Sequence, residues 1–344
     1  MMEHHLLVGI LLILVGGAMQ GSFTLPMKFT RTWQWENIWL VYTMVGLLLL
    51  PWLAAAWTIP PLLEVYRQAD IRALALAMAF GAGWGAGSVL FGLGVDRVGM
   101  ALGFAIILGL TASVGSLVPM LVLHPEQLTT VKGQVLILGL IVVVVGLSCC
   151  ARAGYVKQAV MTPAPSSSSR NQVKHFGPGL LICVLSGILS PMLNFSLAFG
   201  EPIAARAIRL GVAPASAPNA IWAPALSAGF VINAAYCVWR LSKNMSWRRF
   251  SGRGAWSHWL LGISMGALWM GGISIYGVGT ILVGTLGTIL GWPVFMAAII
   301  ITANIWGVMT GEWRGAGRQA QRLIATGVVV LIVAVFIIGY GSAL

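Results

Sequence analysis

Several polar and aromatic side chains recur at helical spacing inside long apolar runs, and these are the residues placed to do chemistry away from water. Trp84, Ser88 and Phe91 fall four and three residues apart, so a helix would show all three on one face. Trp269 and Tyr276 share a face in the same way, as do Thr285, Thr288 and Trp292, and Asn219 with Trp222. Gln20 with Thr24, and Ser190 with Asn194, are each spaced by four. The rings suit the apolar C–H face of a neutral polyhydroxy solute, and the amides and hydroxyls suit its hydroxyl groups. This is chemistry of recognition, with no bond made or broken.

Ionisable groups within membrane spans are expensive and normally functional, and here they are nearly absent. All eight carboxylates fall at the ends of apolar runs or between them. Glu201, just before Pro202, and Asp96, beside Arg97, are the two candidates for taking up a proton. His258, near the start of an apolar run, reads as an interfacial residue. There is no metal-ligand cluster, no nucleophile paired with a base and no phosphate-binding loop, so the sequence predicts neither enzyme nor cofactor.

The elements that must position these residues are membrane helices. Hydrophobic residues make up 58% of the 344, and charged residues 8%. A soluble domain could not cover so much apolar surface, so the bilayer serves as solvent. Ten runs approach the ~20 residues that cross a hydrocarbon core: roughly 6–27, 37–58, 73–94, 99–123, 133–151, 177–199, 218–241, 257–279, 283–310 and 323–342. The formal charge of +12 is spread through the connections, which argues against a nucleic-acid partner. Fifteen of the twenty basic residues lie in alternate connections, beginning with the one between the first and second helices. The positive-inside rule then places those connections in the cytoplasm and both termini outside, in the cell inner membrane. Most tryptophans, including Trp33, Trp35, Trp39, Trp57 and Trp256, read as an interfacial belt.

A Pro- and Ser-rich stretch around 161–170 reads as a flexible linker. It divides the chain into a five-helix unit (1–152), a cytoplasmic linker (153–176) and a second five-helix unit (177–344). The two units repeat one another. Gly81, Ala82, Trp84, Gly87, Gly92, Gly94, Val98 and Gly99 recur identically 185 positions later, from Gly266 to Gly284. A weaker match at an offset of 170 sets Gly17 on Gly187, Gln20 on Ser190 and Thr24 on Asn194. Five crossings is an odd number, so the second unit must be inverted. An all-α fold of ten transmembrane helices, built as two inverted repeats, follows as the expectation. Such repeats are a transporter signature, with one repeat rocking against the other around a midplane site.

Longer stretches resemble the L-rhamnose–proton symporter family of the drug/metabolite transporter superfamily. They are residues 31–39 (RTWQWENIW), Pro51-Trp52, 81–103, 186–190 (SGILS), 210–214 (LGVAP) and 312–318 (EWRGAGR). They follow the family's order over nearly the full length. The resemblance implies a central cavity between the halves and sugar import driven by protons. On this reading Gln20, Thr24, Ser190 and Asn194 meet sugar hydroxyls, and Trp84 and Trp269 supply stacking surfaces. Ser88, Phe91, Trp222, Tyr276, Thr288 and Trp292 are further lining candidates. The partners are then a small neutral sugar, protons and the lipid bilayer. Without a midplane carboxylate, the alternative is a proton-independent exporter or facilitator of another metabolite, told apart by insensitivity to a pH gradient. A receptor that binds without moving solute is the third possibility.

Overall fold

The computed structural model describes residues 2–98, 100–161, 169–252 and 254–343, apart from the side chains of 2–4, 96, 100–102, 105, 169–176 and 342–343. Among the described residues the chain is helical throughout, with ten helices long and apolar enough to cross a membrane. They are α1 (His5–Phe29), α2 (Trp35–Thr58), α3 (Ile71–Val98), α4 (Met100–Leu123), α5 (Val131–Met161), α6 (Gly177–Arg209), α7 (Pro214–Lys243), α8 (Ala255–Val283), α9 (Gly287–Met309) and α10 (Gly317–Ala343). The chain is a multi-pass membrane protein. α5 stays helical through Met161, so the first residues of the expected linker continue a helix; residues 162–168 lie outside the described residues.

Four spans are interrupted, α7 among them, where a 3₁₀ turn at Pro214–Ser216 precedes the α-helix that starts at Asn219. α1 tightens into a 3₁₀ turn at Leu25–Phe29, with Pro26 in its first turn, where a missing N–H costs little. α2 widens at Met44–Leu49 into π-type hydrogen bonding. α6 breaks between Leu189 and Met192, at the Ser190-Pro191 pair, and restarts after Gly200. A proline inside a helix removes one amide donor and crowds the preceding turn, which explains the first break. It falls beside Ser190 and Asn194.

Glycines let neighbouring helices touch, since small residues allow the backbone approach that gives van der Waals contact in lipid. A Cβ built on Gly87 of α3 would lie 2.9 Å from Ser190 N of α6, and one on Gly272 of α8 would lie 3.2 Å from Gln20 N of α1. The same correspondence holds elsewhere. Gly94 would meet Cys183 as Gly279 would meet Ile13, and Gly187 would meet Leu110 as Gly17 would meet Phe295 O. Every member of these pairs is carried onto its counterpart by the offsets of 170 and 185 seen in the sequence. These close contacts join one sequence half to the other.

Two expectations about polar and interfacial residues need correction. Trp33 is buried, donating from Nε1 to Arg249 O at 2.8 Å and stacking on His258 with ring centres 5.5 Å apart. His258 is buried too: its Nε2 lies 3.3 Å from Arg31 N and 3.4 Å from Thr32 N, so it pins the α1–α2 connection instead of reaching into the interface. Trp57 and Trp256 do face outward, at 89% and 70% exposure.

Candidate functional site

Trp84 and Trp269 stand midway along α3 and α8, where each is three residues before a glycine that receives a neighbouring helix. Their ring centres are 5.1 Å apart, tilted by 37°. Positions i and i+3 share a helix face, so Gly87 brings Ser190 to the Trp84 side and Gly272 brings Gln20 to the Trp269 side. Gln20 is only 7% exposed, and its Oε1 is enclosed with no hydrogen-bond donor. An unpaired buried acceptor costs about 1–3 kcal/mol, so it marks a place where a ligand donor would be welcome. Ser190 is half-buried at the α6 break.

An aromatic wall extends from the pair toward the end of the bundle that carries the basic connections. Tyr42 meets Trp269 edge-on at 6.3 Å and Trp39 at 4.9 Å, and Phe23 closes on Tyr42 at 5.2 Å. Asn233 of α7, 1% exposed, organises this wall. It accepts from Trp39 Nε1 at 3.2 Å and from Ser88 Oγ at 3.1 Å, and it donates to Gly229 O at 3.1 Å. Trp39 is therefore half-buried in the wall and not part of an interfacial belt. The sequence reading passed over Asn233 and Tyr42. A lone Asn in an apolar run was the available signal for Asn233, but the repeat window did not reach it.

Four further candidates, Asn194, Tyr276, Thr288 and Trp292, form a second cluster at the opposite end. Asn194 of α6 donates to Gly115 O of α4 at 2.9 Å and to Thr288 O of α9 at 3.0 Å. Its Oδ1 accepts from the Tyr276 hydroxyl of α8 at 2.6 Å. Trp292 donates to Thr111 O at 2.9 Å and meets Tyr276 edge-on at 5.8 Å. All these side chains except that of Thr288 are buried, and their polar atoms are satisfied by protein. Beside the cluster lies a cavity of about 760 Å³, lined among others by Thr280, Thr288, Asp70, Arg72, His124 and Glu201.

Three candidates lie apart from both groups. Trp222 is fully buried against Gly277 and Pro218, and Phe91 packs on Phe104 at 5.3 Å. Thr24 caps the 3₁₀ turn of α1, half-buried. Glu201 is exposed at the start of the last α6 segment, and the side chain of Asp96 lies outside the described residues. One carboxylate is buried where the sequence predicted none. Glu36, 1% exposed at the start of α2, accepts from Asn244 Nδ2 at 2.8 Å and Ser246 Oγ at 2.9 Å. It ties α2 to the α7–α8 connection.

Comparison with known proteins finds matches that span nearly the whole chain. A family model described as L-rhamnose-proton symport protein matches residues 2–344. The L-rhamnose-proton symporter of Klebsiella pneumoniae subsp. pneumoniae is 30% identical over 349 residues, covering 99% of this chain and 100% of that protein. The symporter of Cronobacter sakazakii is 30% identical, covering 99% of each chain. That of Salmonella paratyphi B is 29% identical over 354 residues, covering 99% of this chain and 100% of the relative.

Proposed function

The chain belongs to the L-rhamnose-proton symport family, and from that membership and the geometry of its centre we propose that it imports L-rhamnose together with protons by alternating access. The observation that carries the reading is the pair Trp84 and Trp269, 5.1 Å apart at the midplane, beside the unpartnered acceptor of Gln20. Two indole faces offer stacking surface for the apolar side of a deoxysugar, and Gln20, Ser190 and Ser88 supply hydroxyl partners. Entry of the sugar between the rings requires them to separate, which fits a site that forms only during the cycle.

Two inverted five-helix repeats are the architecture that fits the matched offsets of 170 and 185, now supported by helix contacts that pair in the same way. The basic end faces the cytoplasm of a cell inner membrane and both termini face outside, following the distribution of Lys and Arg. The cavity bounded by Glu201 then opens outward, which puts Glu201 on the side from which protons enter. No step of the cycle makes or breaks a covalent bond, so the chain is a transporter and not an enzyme.

Binding by the purified protein tests the site. L-rhamnose added to detergent-solubilised protein should change its tryptophan fluorescence saturably, and Trp84→Ala should raise the half-saturation about tenfold or more. A half-saturation unchanged in both Trp84→Ala and Trp269→Ala would remove the pair from the site.

A further inference from the structure

Glycine contacts group the helices around the centre into two bodies that cut across the sequence halves, and Gly115 against Trp292 and Gly277 against Trp222 join one body to the other. α3, α4, α6 and α7 meet at Gly87 against Ser190, Gly187 against Leu110 and Gly81 against Ala225. α8, α9, α1 and α2 meet at Gly272 against Gln20, Gly17 against Phe295 and Gly266 against Val45. Each body draws helices from both halves, so a motion of one sequence half against the other would tear these contacts apart. Trp84 belongs to the first body and Trp269 to the second, and the solute site lies in the seam between them.

Asn194 bridges that same seam. It belongs to the first body, and so does Gly115, one of its acceptors. Its other two bonds, to Tyr276 and to Thr288 O, cross to the second body. Thr288 also lines the 760 Å³ cavity, which puts one of the crossing bonds at that cavity's wall. The positions related by the repeat offsets are Thr24 and Phe91, at the basic end. A phenyl ring offers no hydroxyl, Phe91 turns instead to Phe104, and the Thr24 side chain makes no capping hydrogen bond. The basic end is bridged by a different pair: Trp39 Nε1 of α2 donates across the seam to Asn233 Oδ1 of α7 at 3.2 Å.

We propose that the Asn194–Tyr276 bond, with Thr288 O, is the outer gate of the transport cycle and is closed in this structure. The proposal rests on the transport reading above. Its bonds are between neutral groups, so they can open without moving a charge, and water from the cavity can satisfy the freed atoms. A buried neutral hydrogen bond shifts an equilibrium by roughly fivefold to tenfold, enough to bias the resting state toward the closed outer side without locking it.

Tyr276→Phe removes the crossing hydroxyl and keeps the ring that packs on Trp292 and Phe295. The reporter is Ser190→Cys, at the α6 break on the midplane side of Asn194, in a chain whose four native cysteines are replaced by serine or alanine. An impermeant maleimide is added to right-side-out vesicles, and to inside-out vesicles as the opposite case. Tyr276→Phe should speed labelling from the outside about fivefold and slow it from the inside, and Asn194→Ala should move both further. Each variant is first shown to be monodisperse in detergent. Unchanged outside labelling in both variants, or acceleration from the inside alone, overturns the assignment. The measurement needs no sugar, so it stands or falls separately from the identity of the substrate.

Discussion

Gln20 offers the sharpest separation between a residue that builds the protein and one that serves its ligand. Its Oε1 is buried without a donor, and Gly272 packs so near that a Cβ there would lie 3.2 Å from the Gln20 N and 3.5 Å from its Cβ, which fixes where the side chain starts. Gln20→Met replaces the amide by an unbranched apolar chain of similar size. Removing an unsatisfied buried acceptor relieves about 1–3 kcal/mol in the empty protein, so the variant should unfold at a higher temperature than the parent. In the sugar-bound protein the same change strands a sugar hydroxyl and costs a similar amount. At 1.4 kcal/mol per factor of ten, half-saturation for L-rhamnose should rise roughly fivefold to hundredfold. Thermal unfolding followed by tryptophan fluorescence reads the first effect, and equilibrium titration of the same sample reads the second. The two should move in opposite directions. A variant that loses stability while binding normally would make Gln20 a structural residue and refute the argument from its unpartnered oxygen.

Gly87→Val places branched carbons against Ser190 N and Leu189 Cβ, both 2.9 Å from a Cβ at that position, and should lower stability by roughly 1–3 kcal/mol in thermal unfolding. Gly92→Ala, from the same repeat window but with nothing within 4 Å, should leave the midpoint unchanged or raise it. Asn233→Ala releases Trp39 and Ser88 together and should weaken sugar binding about tenfold in a fluorescence titration; Asn233→Asp keeps the acceptor and should recover part of the loss. Glu201→Gln should abolish accumulation driven by a proton gradient while leaving sugar exchange across vesicles intact, and retained accumulation would place the proton elsewhere.

The ten spans were legible because each is an apolar run of near membrane length; most ends moved by a few residues, while the helices ending at Met161 and Arg209 run ten residues past the apolar runs that mark them. The glycine window at 81–99 was legible for a physical reason: close helix contact tolerates few substitutions, so the pattern persists in both halves. The weaker match of Gln20 on Ser190 proved to describe real contacts, because these residues are the partners of Gly272 and Gly87. Helical spacing put Ser190 and Asn194 on one face, but the α6 break separates them, and spacing could not tell a side chain facing a site from one saturated by protein. Asn194 spends all its bonding capacity on Gly115, Thr288 and Tyr276, partners 79 to 94 residues away in sequence. Trp222 and Trp84 look alike along the chain, and only packing distinguishes full burial against Pro218 from half-burial beside Trp269. Glu36 was hidden for the same reason: a carboxylate at a helix start reads as exposed until Asn244 and Ser246 fold over it.

The most direct test is uptake by the purified protein in liposomes. With an inward proton gradient, labelled L-rhamnose should accumulate above its external concentration, and collapsing the gradient with a protonophore should return it to equilibrium. Accumulation indifferent to the gradient, or no entry of L-rhamnose into liposomes that hold folded protein, would contradict the account.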